Sequence, residues 1–288
     1  MRAIRVALLD GPNHTDTIQK MNPGKKDFGA YRGSLLQRVI IAITRIPPFY
    51  RGYFRPKWVG LLDRIRPGPV DVVSRYGLFR VYPSTNLVDS AILLHPNYNK
   101  VEIDFLREGL SGNSTFVDIG ANIGLYSVAL GGHLSSGGRV VSIEPNAVCN
   151  ERLKFNLAAN GFDHVSVFEV AVGDFSGRGK LRILKNDLAI AQTVRDDVGG
   201  DFAVLPLETI LDQAAVHRID ALKIDVEGFE RAVLEPFFKS APFERWPRRI
   251  CIEHLGEKAD IMNILRDCGY RLVRNTRNNS LLVLEPRA

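Results

Sequence analysis

Three acidic residues crowd the end of one apolar run in LKIDVEGFE, residues 222–230: Asp225, Glu227 and Glu230. Leu222, Ile224 and Val226 alternate as a buried strand does, and Gly228 follows where a strand hands over to a helix. Carboxylates in that place can hold a hydroxyl or an ammonium in line or accept a proton. They can also ligate a hard cation such as Mg²⁺, or simply favour a helix N-terminus. Positions i and i+2 of an extended chain point the same way, so Asp225 and Glu227 are expected on one face. Glu230 falls in the first helical turn and suits the helix-start role. A further proton acceptor, His254, ends the run RRICIEH at 248–254. Its neighbour Glu253 is expected on the opposite face, paired with an Arg or Lys. The reading taken has His254 as base while Asp225 and Glu227 hold the reaction partners. A carboxylate base and a Mg²⁺ site stay open beside it. No third acid stands at metal-ligand spacing, so no metal is assigned.

The second cluster is DIGANIG: Asp118, Gly120, Ala121, Asn122 and Gly124. Gly120 permits a tight turn and Gly124 a close approach of the next helix. Glu144, at the end of the following apolar run, is placed to accept hydrogen bonds from both hydroxyls of a ribose. The pair of features implies a nucleoside-bearing cofactor. A dinucleotide fingerprint would read G-x-G-x-x-G, with backbone amides facing a pyrophosphate. GANIG lacks the middle glycine, and a carboxylate at the loop's mouth (Asp118) repels phosphate. S-adenosylmethionine carries an ammonium and a sulfonium but no phosphate, and it satisfies both facts. An NAD-dependent oxidoreductase or epimerase is the competing reading.

The elements that must position these groups form an alternating series. Strands are expected at 115–120, 138–145, 165–172, 219–226 and 248–254, with helices at 123–134, 147–160, 228–238 and 258–268. Short strands are expected at 180–184 and 203–207, and the segments 270–273 and 280–286 close the chain as a hairpin. Alternation of this kind makes a parallel, doubly wound sheet, because parallel neighbours need helical crossovers. The terminal hairpin adds one antiparallel strand.

Composition sets the class. The chain has 288 residues, 45 % hydrophobic and 24 % charged, enough for one sizeable core. Three cysteines without paired spacing (149, 251, 268) argue for a reducing compartment and against structural zinc. The start of the chain has only a short apolar run before Asp10, and no window approaches a membrane span, so a cytoplasmic location is expected. Residues 1–80 hold fifteen Lys/Arg against five Asp/Glu, a balance of +10, while the remainder balances at −4. Within that basic segment, residues 1–33 read as loop or mobile arm, and a helix with Leu35, Leu36, Val39, Ile40, Ile43 and Ile46 on its apolar face follows. Packing on the next domain and peripheral contact with an anionic membrane are its two expected fates. No nucleic-acid partner is expected, since the segment after the fourth strand lacks the prolines of the DNA amino-methylases. The domains are read as 1–80, the basic extension, and 81–288, the catalytic unit.

FVDIGANIGLYS, VVSIEPN, VAVGDFSG, LPLETILD and IDALKIDVEGFERAVL, in this order, resemble the FkbM family of S-adenosylmethionine-dependent methyltransferases over about residues 114–256. The resemblance implies an α/β fold of the class I methyltransferase kind: a Rossmann-like, seven-stranded, doubly wound sheet with the last strand antiparallel. It makes DIGANIG the methionine-end loop and Glu144 the ribose ligand, and it puts Asp174 near the adenine. It also implies O-methylation of hydroxyls on saccharides, glycans or lipid-linked sugars, with polyketide-like small molecules as the alternative acceptor.

Overall fold

The computed structural model describes residues 26–286 apart from 51, 136, 184–190, 197 and 254–257. Most of the segment expected to be a loop or arm, and His254, therefore lie outside the described residues. Helix α1 (Leu35–Thr44) opens with a reciprocal capping box between Ser34 and Gln37. Helix α2 (Arg55–Ile65) carries a proline in its first turn. An antiparallel hairpin, β1 (Val70–Val73) and β2 (Leu78–Val81), follows. Then come α3 (Leu87–Leu94) and α4 (Lys100–Arg107).

Helix α1 does pack on the domain, but with a different face from the one its apolar series suggests. Gln37, Ile40, Ile41 and Thr44 are buried, and the Gln37 amide donates to the Leu62 and Arg66 carbonyls. Leu35, Leu36, Val39, Ile43 and Ile46 remain exposed, Leu35 by 76 %. Gln37 points inward to donate to carbonyls at the end of α2, and Thr44 donates to the Ile41 carbonyl of its own helix, so both polar side chains are satisfied where they are buried. Residues 26–31 are anchored by a buried pair: Arg80 bonds Asp71 at 2.7 Å and donates to the Lys26 and Asp27 carbonyls, while Asp71 accepts from the Gly29 and Tyr31 amides. Ile40, Leu62, Val70 and Phe79 share one core with Phe116, Val128 and Val140, so the described part of the basic extension is built into the body of the protein.

The remaining elements are β3 (Thr115–Ile119), α5 (Leu125–Gly131), β4 (Arg139–Ile143), α6 (Ala147–Ala159), β5 (Val165–Phe168), β6 (Val170–Val172), β7 (Gly177–Ile183), β8 (Ala191–Arg195), β9 (Phe202–Leu205), α7 (Leu207–Gln213), β10 (Ala221–Ile224), α8 (Glu230–Ser240), β11 (Arg249–Glu253), α9 (Lys258–Asp267), β12 (Tyr270–Asn275) and β13 (Asn279–Leu284). The main sheet has seven strands in the order β12-β13-β11-β10-β3-β4-β5. Strand β13 runs antiparallel to both neighbours, and β10, β11, β3, β4 and β5 pair in parallel. This is the class I methyltransferase order, with the last strand reversed. Phe116, Ala221 and Cys251 enter the core on one face, and Val117, Leu222 and Ile250 that on the other, as the period of two requires.

The expected single strand at 165–172 is split. Strand β5 closes the edge of the main sheet; past Glu169 the chain joins a second sheet of order β6-β9-β7-β8. Strand β8 and helix α7 were not foreseen from the sequence, because that interval has no sustained apolar period. Among the described residues no helix is long and apolar enough to cross a membrane.

Candidate functional site

Register brings the chemistry together. Ile119, Ile224 and Ile252 are aligned across β3, β10 and β11, so the chain leaves all three strands at one edge. A cleft of about 880 Å³ opens there, lined by the 119–122 loop, Ile143–Pro145, Val170–Val172 and residues 223–227. Val88, Tyr98, Asn99 and Tyr126 complete it.

The glycine loop is held by its own hydrogen bonds. The Gly120 and Ala121 amides both donate to the Ile143 carbonyl at 3.0 Å. The Asn122 amide donates to Glu144 Oε2 at 2.8 Å, Ile123 N to Asn122 Oδ1, and Gly124 N to the Ala121 carbonyl. Every amide from 120 to 124 is thus engaged, and the loop has no free row of donors for a pyrophosphate. Gly120 sits at φ +73°, and a Cβ there would lie 1.8 Å from the Asp225 carbonyl oxygen. Gly124, at φ +89°, caps α5 from behind the cleft; its Cβ would meet Leu153 at 2.5 Å.

Glu144 lines the cleft nearly buried, its two oxygens accepting from the Asn122 and Asn146 amides. Burial pushes its carboxyl up to about 7, against those two hydrogen bonds. Each oxygen keeps a second lone pair, which suits a pair of vicinal hydroxyls.

Two of the expected cofactor contacts lie elsewhere. Asp118 is not at the loop's mouth but fully buried beneath α5, where it accepts from Ser127 Oγ at 2.6 Å. Strand alternation turns it to the face that α5 covers. Asp174 is exposed and does not line the cleft; the split at Glu169 carries residues 170–172 along the wall and turns Gly173–Asp174 away.

The acids at the strand ends form a tighter group than the sequence implied. One carboxylate oxygen from each of Asp225, Glu227 and Glu253 lies within 4.8 Å of the others. Glu253 was expected on the opposite face; register overrules that, because Lys223 pairs with Cys251 and places 225 beside 253 on the same side. Glu227 reaches the group from a left-handed backbone, φ 53°. Burial, the Asp225 charge, a side-chain hydrogen bond to Asp225 and the Glu227 charge push Glu253 up to about 9, with Lys223 pulling the other way. Glu253 is therefore protonated at neutral pH and shares its proton with Asp225. Glu230 closes the turn instead, accepting from the Val226 and Gly228 amides.

Lys223 was missed by the sequence reading. Its ammonium donates to the Gly120 carbonyl at 2.7 Å and lies 3.3 Å from Asp225 and 3.9 Å from Asp118. It ties the glycine loop to the acid turn and supplies a cation beside Asp225. The signal was available: a lysine in the otherwise apolar run ALKI, four residues all buried.

A pH effect follows. Between the unfolded glutamate value, about 4.3, and about 9, the folded chain holds a proton on Glu253 that the unfolded chain has released. Stability contributed by this group is thus full in acid and falls as pH rises across that window. Glu253→Gln keeps a donor toward Asp225 and removes the titration. Its melting temperature should exceed that of the wild type at pH 8.5 and match or fall below it at pH 5; parallel curves at both pH values would contradict the shared proton.

Comparison with known proteins gives a consistent pattern. A family model for the methyltransferase FkbM domain matches residues 118–272. Methyltransferase sdnD of Sordaria araneosa is 25 % identical over 238 residues, covering 66 % of this chain and 90 % of the relative. Among solved structures, methyltransferase FkbM from Methylobacillus flagellatus KT is 21 % identical, covers 60 % of this chain and 44 % of that one, and has a TM-score of 0.38. A SAM-dependent O-methyltransferase from Thermotoga maritima is 13 % identical, with 79 % and 82 % covered and a TM-score of 0.43.

Proposed function

Since the chain belongs to the FkbM family of S-adenosylmethionine-dependent methyltransferases, we propose that it methylates a hydroxyl group of a saccharide or of a glycan- or lipid-linked sugar. The observation that carries this finer reading is the Asp225–Glu227–Glu253 group at the mouth of the cofactor cleft. A hydroxyl nucleophile must lose a proton, and a positioned carboxylate is suited to take it.

The residues fit the cofactor. Glu144 offers lone pairs to the ribose, the self-satisfied 120–124 loop requires no phosphate, and the acid turn carries surplus negative charge toward a sulfonium and an ammonium. When bound, the cofactor supplies a methyl group already activated on sulfur. The chain's own residues then have two tasks. Gly120, Ala121, Asn122 and Glu144 shape the wall that fixes position, which is a large part of any bimolecular rate gain. Asp225 accepts the hydroxyl proton while Lys223 and the protonated Glu253 hold its carboxylate in place. His254, the base expected from the sequence, lies outside the described residues, and Asp225 takes that role in this proposal. Incubation with methyl-labelled cofactor and a panel of saccharides and small hydroxyl compounds tests it; label on an amine or carbon acceptor alone would defeat the hydroxyl reading.

The exposed row on α1 supports a peripheral membrane contact. Leu35, Leu36, Val39, Ile43 and Ile46 face outward, with Phe49 and Tyr53 nearby in sequence and Arg38 and Lys57 among them, in a segment of strong positive balance. Such a surface matches an anionic bilayer face. Leu36→Glu with Ile43→Glu should reduce co-sedimentation with phosphatidylglycerol vesicles at least tenfold and leave affinity for S-adenosylhomocysteine unchanged. Equal sedimentation of the variant would remove this contact from the proposal.

A further inference from the structure

A second, partly open cavity of about 520 Å³ lies against the cofactor cleft and shares Tyr98 with it. Arg45, Arg75, Tyr76 and His95 line it with Tyr98. The Arg55 guanidinium stands 5.9 Å from the Tyr98 ring, and Tyr76 Oη donates to the Tyr98 carbonyl, fixing the segment that separates the two spaces.

No carboxylate among the described residues pairs with the arginines at this cavity. Among the described residues neither Arg45 nor Arg55 has a carboxylate partner, and the Nε of each is buried without a hydrogen-bond acceptor. Arg45 makes one long bond, Nη2 to the Leu93 carbonyl at 3.4 Å. Arg75 donates to Asn97 Oδ1 and keeps its other donors. Burial lowers the pKa of both Arg45 and Arg55, and the Arg277 charge lowers that of Arg55 further. Nearby acids are engaged elsewhere: Asp104 pairs with Lys100 and Arg107, Glu102 is buried and accepts from Asn279, and Asp225 and Glu253 belong to the cleft on the other side of Tyr98. Desolvated guanidinium groups without counter-ions are expensive, and a ligand anion is the natural partner. The guanidinium fork matches a phosphate in particular.

We propose that this cavity binds a phosphate group of the acceptor, so that one molecule spans Tyr98 with its anion between Arg45 and Arg75, Arg55 adding its charge from beside the Tyr98 ring, and its hydroxyl at Asp225. The inference deepens the hydroxyl-transfer reading by adding a required charge to the acceptor, and it rests on that reading for the position of the hydroxyl.

The test is a calorimetric titration of the full chain with glucose 1-phosphate and with glucose, read without turnover. Wild type should bind the phosphate ester at least tenfold more tightly than glucose, and added salt should weaken that binding. Arg45→Gln with Arg55→Gln should lose at least tenfold in affinity for the ester, with affinity for S-adenosylhomocysteine held within about twofold as proof of an intact fold. Arg75→Glu, at an exposed position, gives the same loss with no risk to the core. A parallel arm uses vesicles of phosphatidylglycerol against phosphatidylcholine: arginine-dependent binding to the anionic vesicles alone assigns the phosphate to a lipid, and to the soluble ester alone to a free sugar. Equal affinity for glucose and its phosphate, with no arginine-dependent vesicle binding, overturns the proposal. So does binding that the arginine variants leave unchanged. A chain that binds the ester through these arginines and yet methylates no hydroxyl keeps the anion site and loses the hydroxyl-transfer reading.

Discussion

Gly120→Ala should weaken cofactor binding by at least ~30-fold. The new methyl carbon would sit 1.8 Å from the Asp225 carbonyl oxygen, and a backbone atom cannot rotate aside as a side chain can. The left-handed conformation at φ +73° adds about 1–2 kcal/mol for any residue with a Cβ. Forcing the loop away from the strand end adds about 1–3 kcal/mol of overpacking and breaks the Lys223 bond to the Gly120 carbonyl. The combined loss of about 2–5 kcal/mol corresponds to roughly 30- to 4,000-fold in affinity at about 1.4 kcal/mol per decade. Gly161→Ala is the control, because Gly161 has φ +70° with nothing within 4 Å of its Cβ. It should cost only the backbone term and leave cofactor affinity intact. Calorimetry with S-adenosylhomocysteine on both variants separates the two effects; similar affinities would mean that the loop is free to move.

Asp225→Asn should lower turnover by ~10²–10⁴-fold, the range typical of a lost general base. Cofactor affinity should fall far less than turnover: the variant loses one charge facing the sulfonium and ammonium but keeps size and still accepts from Lys223. The comparison with Glu253→Gln is the informative one. If Asp225 takes the proton and Glu253 only orients it, the second variant retains most activity at neutral pH. Its rate should also lose the decline above about pH 9 that deprotonation of Glu253 would cause in the wild type. Equal activity of Asp225→Asn and wild type would move the proton acceptor to another residue.

The sequence made the main sheet readable because four strand–helix alternations have clean apolar periods, and its glycine loop and Glu144 stand at the spacing of a nucleoside-cofactor site. The failures share a physical cause. Alternation tells which residues of one strand share a face, but not how that strand is set beside its neighbour. Glu253 was misplaced for that reason, and register with β10 corrected it. Asp118 was misread because a charge in a strand looks like a ligand contact until the covering helix is known; Ser127 and Lys223 are what it meets. On α1, the apolar row was legible and its direction was not, since inward-facing Gln37 answers carbonyls of a helix far along the chain. Lys223 belongs to no recognised motif, although a lysine was the anomaly in its apolar strand.

The division at Glu169 has an architectural consequence. One wall of the cleft, Val170–Val172, belongs to the smaller sheet, while its floor belongs to the larger one, and the two sheets have separate hydrogen-bond ladders. Beyond β6 and Leu205, which pack into the core of the larger sheet, the smaller sheet is therefore an exchangeable panel. Its hairpin can lengthen, shorten or change sequence over evolutionary time without altering the strand pairing that carries Gly120, Glu144 and Asp225. Diversity in what this scaffold accepts can accumulate on the panel while the chemistry at the floor stays constant.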